Sequence, residues 1–161
     1  DECLVLGSRF TEHAPTWEDL AWLRGQTDKP ILVKGIVSPA DAKQALALGA
    51  NGLVVSNHGG RALDGMVSPV DVLPLMRAAV GAEVSLLLDG GIRWGTDVVK
   101  AVALGADAVM VGRPQMHALA VAGMLGVAHM LHLLRVELEL AMAQLGCGVL
   151  AEVNESVLFR A

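Results

Sequence analysis

Residues 46–57, LALGANGLVVSN, and residues 102–113, VALGADAVMVGR, are two versions of one stretch, and a shift of 56 positions superimposes them. Each version joins the end of a predicted helix, through Leu-Gly-Ala, to a short apolar run in which polar residues do not alternate. Such runs are typical of parallel strands that are buried on both faces. The repeat therefore predicts tandem strand–helix units that build a parallel sheet.

Four strands of this kind are predicted along the chain, at residues 31–36, 52–56, 84–88 and 108–112. Ser38 and Ser68 each precede a proline, as an N-cap residue precedes the first turn of a helix. Thr16 with Asp19 resembles a capping box at the start of an earlier helix. A long final helix is predicted from about residue 124 to residue 146. This alternation indicates an α/β fold with a parallel sheet.

Two architectures share this alternation, an open doubly wound sheet and a (β/α)8 TIM barrel. The repeat favours the barrel, because a barrel is built from like units. Four units are half of a barrel, and a complete barrel takes about 250 residues. A half barrel also leaves two sheet edges unpaired. Residues 1–161 are therefore interpreted as one partial domain, strands 5 to 8 of a barrel plus C-terminal helices, which a missing N-terminal half completes.

The composition argues against several classes of protein. Hydrophobic residues make up 53% of the chain and charged residues 18%, which is too apolar for a disordered protein. A net charge of -5 argues against a broad nucleic-acid-binding surface. The apolar runs are far shorter than the ~20 residues that cross a bilayer, and Cys3 and Cys147 lack metal-ligand spacing.

From these observations we expect a cytoplasmic protein in a reducing compartment, with membrane association through another part of the protein left open. The chain begins without a methionine or a basic leader, so a processed chain or a fragment is expected.

Polar or glycine-rich residues follow each predicted strand. In a barrel the carboxyl ends of the strands meet at one mouth, where the chemistry is found. The clusters are Lys34-Gly35 after the first strand, Ser56-Asn57-His58-Gly59-Gly60-Arg61 after the second, Asp89-Gly90-Gly91-Ile92-Arg93 after the third and Gly112-Arg113-Pro114 after the fourth. A phosphate site is favoured by the combination of glycines, helix starts with free N–H groups and two arginines. Ordinary tight turns with exposed arginines would give the same sequence pattern.

Three of these residues carry further chemistry. Lys34 follows an apolar strand directly, so its ammonium is expected to meet either a ligand anion or a neighbouring carboxylate. His58 can take up a proton near neutral pH. Arg61, three residues later, can bind a carboxylate with both arms of its guanidinium. The packed SNHGGR run favours catalysis over a structural histidine.

Other chemical side chains are given structural roles. His129 and His132 lie three residues apart on the predicted final helix, but no third metal ligand follows them, so no metal site is predicted. Glu137 and Glu139 of the same helix are interpreted as part of a solvated face.

Three runs, ILVKGI (31–36), SNHGGRALDG (56–65) and LLLDGGIRWGTDVVKAVALGADAVMVGRP (86–114), resemble the FMN-dependent 2-hydroxy acid oxidoreductases. This family includes glycolate oxidase, lactate oxidase, mandelate dehydrogenase and flavocytochrome b2. The resemblance extends from about Thr16 to Cys147, and the histidine motif with its spacing to DGGIR is its most specific part. It implies a TIM barrel with FMN that oxidises an L-2-hydroxy acid to a 2-oxo acid.

The resemblance also implies a role for each matching residue. Lys34 corresponds to the lysine beside the flavin N1 and O2, and Ser56 to a hydroxyl contact to the flavin. His58 corresponds to the catalytic base, and Arg61 to the arginine that binds the substrate carboxylate. The cradle for the ribityl chain and phosphate corresponds to Asp89, Gly90, Gly91, Ile92, Arg93, Gly112 and Arg113.

The chain departs from the family pattern in two respects. Ala62 stands where members usually carry glutamine, and the chain contains no tyrosine, whereas the family binds its substrate with tyrosines of the first barrel half. The resemblance therefore implies that the N-terminal half of the same enzyme is a necessary partner, in a homotetramer.

Two other functions are compatible with parts of this pattern. An inosine-phosphate dehydrogenase-like barrel needs a catalytic cysteine loop, and neither Cys3 nor Cys147 lies at a predicted strand end. The second is a non-catalytic half-barrel that merely binds a phosphate.

Overall fold

The computed structural model describes residues 14–159, in which strands and helices alternate along the chain. The elements are α1 (Trp17–Gln26), β1 (Leu32–Ile36), α2 (Pro39–Ala47), β2 (Gly52–Ser56), α3 (Pro69–Val80), β3 (Ser85–Asp89), α4 (Gly95–Ala103), β4 (Ala108–Met110) and α5 (Arg113–Leu145). Short 3-10 turns lie at His58–Gly60, Leu150–Glu152 and Glu155–Val157. Cys3 lies outside the described residues.

The four strands form one parallel sheet in the order β1-β2-β3-β4, as the repeat predicts. β2 and β3 pair without a shift, from Gly52 opposite Ser85 to Ser56 opposite Asp89. β4 is shorter than predicted, because its pairing with β3 ends at Met110, opposite Asp89. Polar side chains at the ends of β2 and β3 are therefore direct neighbours.

The core lies between the sheet and the helices that pack against it. Its largest fully buried hydrophobic side chains are Leu53, Val55, Leu73, Met76, Leu86 and Leu88. Burial on both faces, predicted for all four strands, is found throughout β2. β1 and β4 are partly exposed because they are the two edges of the sheet within the described residues.

The helix starts follow the predicted capping pattern with one exception. Thr16 and Asp19 form the capping box, in which the Asp19 carboxylate accepts from the Thr16 N–H at 2.7 Å. This backbone bond and the bond from the Thr16 hydroxyl lower the pKa of Asp19. The Ser38 hydroxyl accepts from the Asp41 N–H at 3.4 Å. Ser68 is the residue before α3 but makes no side-chain cap bond.

The sequence repeat is also a repeat of side-chain contacts, which lie in the turns between α2 and β2 and between α4 and β4. Arg24 donates to the Gly49 carbonyl at 3.4 Å, and Arg77 donates to the Gly105 carbonyl at 2.8 Å. Both glycines have positive φ, 94° and 107°, and a Cβ on either would lie less than 3.0 Å from the arginine side chain. Each repeat therefore closes its helix–strand turn with an arginine that the sequence pattern did not single out.

α5 consists of two helical segments separated by a break at Ala122 and Gly123, where φ is -146° and 56°. The second segment agrees with the predicted final helix, which ends in a left-handed Gly146. The two segments approach closely, since a Cβ on Gly126 would lie 2.1 Å from the Ala118 carbonyl oxygen.

α5 is also long and apolar enough to cross a membrane, judged by length and composition alone. That differs from the expectation drawn from uninterrupted apolar runs, because the mean hydropathy of α5 is high although polar residues interrupt its apolar runs. Leu134 and Leu138 of α5 pack against the domain core. The helix is thus part of the same folded unit as the sheet.

Candidate functional site

The four β–α junctions line one cavity of about 330 Å³ at the carboxyl edge of the sheet. Its walls are Lys34 after β1, His58, Gly59 and Arg61 after β2, Asp89, Gly90, Gly91, Ile92 and Arg93 after β3, and Met110, Val111, Gly112, Arg113, Pro114 and Met116 around the end of β4. Every residue predicted for the site lines this cavity except Ser56, which is buried beside it with 1% of its surface exposed. Residues from four separate runs of sequence are thus brought together as predicted.

Ser56 joins the first three strand ends through its hydroxyl group. It donates to Asp89 Oδ2 at 2.6 Å and accepts from Lys34 Nζ at 3.2 Å and from the His58 N–H at 3.0 Å. A hydroxyl has one proton to donate and two lone pairs that accept, so these three bonds use its full capacity. A bond from Ser56 to a ligand would therefore require that one of them be exchanged.

Lys34 and Asp89 form an ion pair, with Nζ 2.7 Å from Oδ2. The carboxylate alternative considered for Lys34 is thus realised, yet the Lys34 side chain is 40% exposed and still lines the cavity. Burial raises the pKa of Asp89, but hydrogen bonds from Lys34 and Ser56 and the charges of Lys34 and His58 outweigh it. The pKa of Asp89 is therefore lowered, and its carboxylate is ionised at neutral pH.

His58 stands in a left-handed conformation, with φ 57°, at the start of the 3-10 turn. A residue with a side chain in this region costs about 1 kcal/mol or more, so the surrounding bonds must hold it there. Ser56 binds the N–H of His58, and Asn57 closes the turn by accepting from the Gly60 N–H at 3.1 Å. The imidazole is exposed in the cavity.

Arg61 lies three residues after His58 on the same wall and is exposed. Within residues 14–159 no hydrogen bond or ion pair engages its guanidinium, so both arms are available to an anion. Arg113 reaches across from the end of β4 and donates to the Gly59 carbonyl at 3.2 Å.

The part of the cavity between β3 and β4 has open space in front of two glycines. A Cβ on Gly91 or on Gly112 would meet no atom within 4 Å, and Gly91 has φ 82°. Arg93 and Arg113 lie beside these glycines. The basic side chains of the lining are Lys34, Arg61, Arg93 and Arg113 with His58, against the single carboxylate of Asp89. This cavity therefore favours an anion although the chain as a whole carries -5.

One part of the phosphate prediction is wrong. Free N–H groups were expected at the helix start after β3, but Asp97 Oδ2 accepts from the N–H groups of Arg93 and Trp94, at 3.0 Å each. The Gly95 N–H is bound by Glu137 Oε2 at 2.9 Å. These amides are already satisfied by carboxylates, so an anion here would rely on the guanidinium groups and the glycine loop.

Sequence reasoning also misplaced Glu137. A solvated face was predicted for both Glu137 and Glu139. Glu139 does lie there, since it is 57% exposed and pairs with Arg135. Glu137 instead turns inward to the start of α4. No local signal in the sequence separates the two, because the partner amide lies 42 residues away.

The one cysteine within residues 14–159 lies away from the cavity. Cys147 is a buried free thiol in a cluster with Val99, Ala103 and Val153, and it does not line the cavity. Among residues 14–159, no three His, Cys, Asp or Glu side chains form a group that could hold a metal ion.

Comparison with known proteins gives consistent matches. The family model for FMN-dependent dehydrogenases matches residues 3–160. L-lactate oxidase of Alicycliphilus denitrificans is 56% identical over 91% of this chain and 40% of its own length. The 2-hydroxyacid oxidase of Dictyostelium discoideum is 51% identical over 89% of this chain and 37% of its own length. The L-lactate dehydrogenase of Ectopseudomonas mendocina is 45% identical over 96% of this chain and 41% of its own length. The chain spans about 40% of the length of these curated relatives.

This chain also matches solved structures over most of its own length and less than half of theirs. Mandelate oxidase with 3,3-difluoro-2-hydroxy-3-phenylpropionic acid superimposes with a TM-score of 0.85 at 49% identity, covering 88% of this chain and 43% of that one. A mandelate oxidase variant with a monooxide FMN adduct superimposes with a TM-score of 0.84 at 50% identity, covering 86% and 44%. The four strand–helix units thus correspond to part of a TIM barrel.

Proposed function

The chain belongs to the family of FMN-dependent dehydrogenases, and we propose that it forms part of an enzyme that oxidises an L-2-hydroxy acid to the 2-oxo acid. The observation that carries the proposal is the meeting of His58, Arg61 and Lys34 in one positively charged cavity with the glycine loops after β3 and β4. The relatives named as lactate oxidase, 2-hydroxyacid oxidase and lactate dehydrogenase support this class of substrate.

The described residues fit the FMN on which the family depends. Gly91 and Gly112 leave space for a ligand to approach the backbone, and Arg93 and Arg113 would hold the phosphate there. Lys34, at the other side of the cavity, would place its ammonium beside the ring, and Asp89 would bind the ribityl hydroxyl groups. When bound, FMN takes up the two electrons of the oxidation.

Arg61 and His58 would act on the substrate itself. Arg61 would bind the carboxylate with both arms of its guanidinium and so fix the orientation of the α-carbon. His58 would accept a proton, either from the α-carbon or from the hydroxyl group in a route with hydride transfer. Asp89 lies close enough to His58 that the charge of His58 contributes to the lowered pKa of Asp89.

The catalytic unit would include more polypeptide than this chain. The chain spans about 40% of its curated relatives and provides four strands, so the remaining part would complete the barrel and contribute to substrate binding. The homotetramer and the cytoplasmic location stay predictions.

The test is anaerobic mixing of the assembled, flavin-loaded enzyme with L-lactate while the flavin absorbance is followed. His58→Ala should retain FMN and lose at least about 10²-fold in the rate of flavin reduction, the usual contribution of a general base. His132→Ala is the matched control, because His132 is exposed on α5 and does not line the cavity. Rapid flavin bleaching in His58→Ala would refute the assignment, and a colourless protein would favour the phosphate-binding scaffold.

A further inference from the structure

The loop between β3 and α4, residues 90–94, faces the cavity on one side and two carboxylates on the other. Gly90, Gly91, Ile92 and Arg93 line the cavity. Behind them, Asp97 binds the N–H groups of Arg93 and Trp94, and Glu137 binds the N–H of Gly95. Asp97 belongs to α4 itself, whereas Glu137 comes from α5, so of these two carboxylates only Glu137 links the start of α4, directly after the loop, to another element.

Glu137 reaches this position because α4 and α5 touch backbone to backbone. A Cβ on Gly95 would lie 2.1 Å from the Leu138 nitrogen and 2.4 Å from the Glu137 carbonyl carbon. Leu134 and Leu138 pack against the core that contains Ile92 and Val98, so this part of α5 is anchored on both sides of Glu137. The carboxylate is thus held at a fixed place relative to the 90–94 loop.

The carboxylate also suits the electrostatics of the helix start. A negative charge is favourable at the N-terminus of a helix, where the peptide dipoles leave a partial positive charge. By binding the Gly95 N–H, Glu137 leaves the attraction for a ligand anion to the side chains in front of the loop, above all Arg93.

We propose that Glu137 is a positioning residue for the phosphate end of the FMN site. It fixes the backbone at Gly95, next to the Arg93 and Trp94 amides that Asp97 binds, and thereby helps to hold Arg93 and the glycine pair in the conformation that receives the phosphate. This inference rests on the proposed function, because it assumes that FMN occupies the cavity.

The experiment measures flavin binding to the apoprotein of the assembled enzyme by the quenching of flavin fluorescence. FMN and riboflavin are compared, since they differ only in the phosphate. The variants are Glu137→Ala, Glu137→Asp, which shortens the reach, and Glu137→Gln, which keeps an accepting oxygen. Glu139→Ala is the matched control, because Glu139 lies two residues away and loses only a solvent-exposed pair with Arg135.

Glu137→Ala and Glu137→Asp should weaken FMN binding about tenfold, the effect of one charge-assisted hydrogen bond, and change riboflavin binding less than about twofold. Glu137→Gln should stay within about threefold of the unchanged protein for both flavins. The proposal is overturned if Glu137→Asp binds FMN as Glu139→Ala does, or if FMN and riboflavin weaken equally in it. Should Glu137→Ala fail to fold, the Asp and Gln variants decide. Failure of the unchanged protein to bind FMN would instead overturn the proposed function.

Discussion

Ser56→Ala removes one oxygen atom and three hydrogen bonds at the centre of the site. Ser56 is 1% exposed, and its hydroxyl bonds to a carboxylate, an ammonium and a backbone N–H. Hydrogen bonds to charged groups contribute about 1.5–3 kcal/mol each, and an unsatisfied buried N–H costs about 1–3 kcal/mol. Lys34 and Asp89 still face each other at 2.7 Å in the variant, which retains part of this energy.

We therefore expect Ser56→Ala to lower the free energy of unfolding by about 2–3 kcal/mol, less than the sum of the three bonds. Urea denaturation followed by circular dichroism measures the change. Ser85→Ala is the control, because Ser85 lies on the neighbouring strand and is exposed, and a change within about 0.5 kcal/mol is expected there.

A second measurement isolates the hydrogen bond to Asp89. Donation from Ser56 lowers the pKa of that carboxyl, so its pKa should rise in Ser56→Ala, as a carbon-detected NMR titration would record. Equal stability of Ser56→Ala and Ser85→Ala, with an unchanged pKa of Asp89, would refute the reasoning that Ser56 holds the three strand ends together.

Four further predictions concern packing, helix propensity, charge and assembly. Gly95→Ala should destabilise the fold by about 3 kcal/mol or more, because the new Cβ would overlap the backbone of α5. Gly25→Ala in α1, where a Cβ meets nothing, should stabilise it by about 0.5–1 kcal/mol in the same thermal or urea melts. Asp89→Asn should be less stable than the unchanged protein at neutral pH. The difference in the free energy of unfolding should shrink as the pH falls below 3.8, because a carboxyl whose pKa is lowered by folding loses its contribution as it becomes protonated in the folded state. A difference that persists in acid would contradict this. Native mass spectrometry of the active enzyme should find this chain with the rest of the barrel and one FMN, and activity from the flavin-free chain alone would count against the assembly.

Local pattern was sufficient for the parts of the site that lie at strand ends. Each strand was placed within two residues, because a buried parallel strand is a short apolar run bounded by turn residues. Parallel strands of one sheet point the same way, so Lys34, His58, Asp89 and Arg113 had to lie at one edge once the strands were known.

The contacts between distant segments could not be predicted in this way. Glu137 reads like Glu139 in the sequence, and only the backbone contact at Gly95 turns it toward α4. Of the amides at that helix start, the Gly95 N–H is occupied for the same reason, whereas those of Arg93 and Trp94 bind the nearby Asp97 of the same helix. The second segment of α5 was predicted, whereas the first segment and the break at Ala122 and Gly123 that separates the two were not.

The sequence by itself determined the strand–helix order, the parallel sheet and the identity of the residues around the cavity, because these depend on patterns within a few residues of the chain. The tertiary structure decided which of those residues bind each other: the hydroxyl of Ser56 joins three strand ends, and Glu137 closes the start of α4. Such bonds form only when groups far apart in the sequence are packed within about 3 Å of each other, and a local sequence pattern does not specify which distant groups meet.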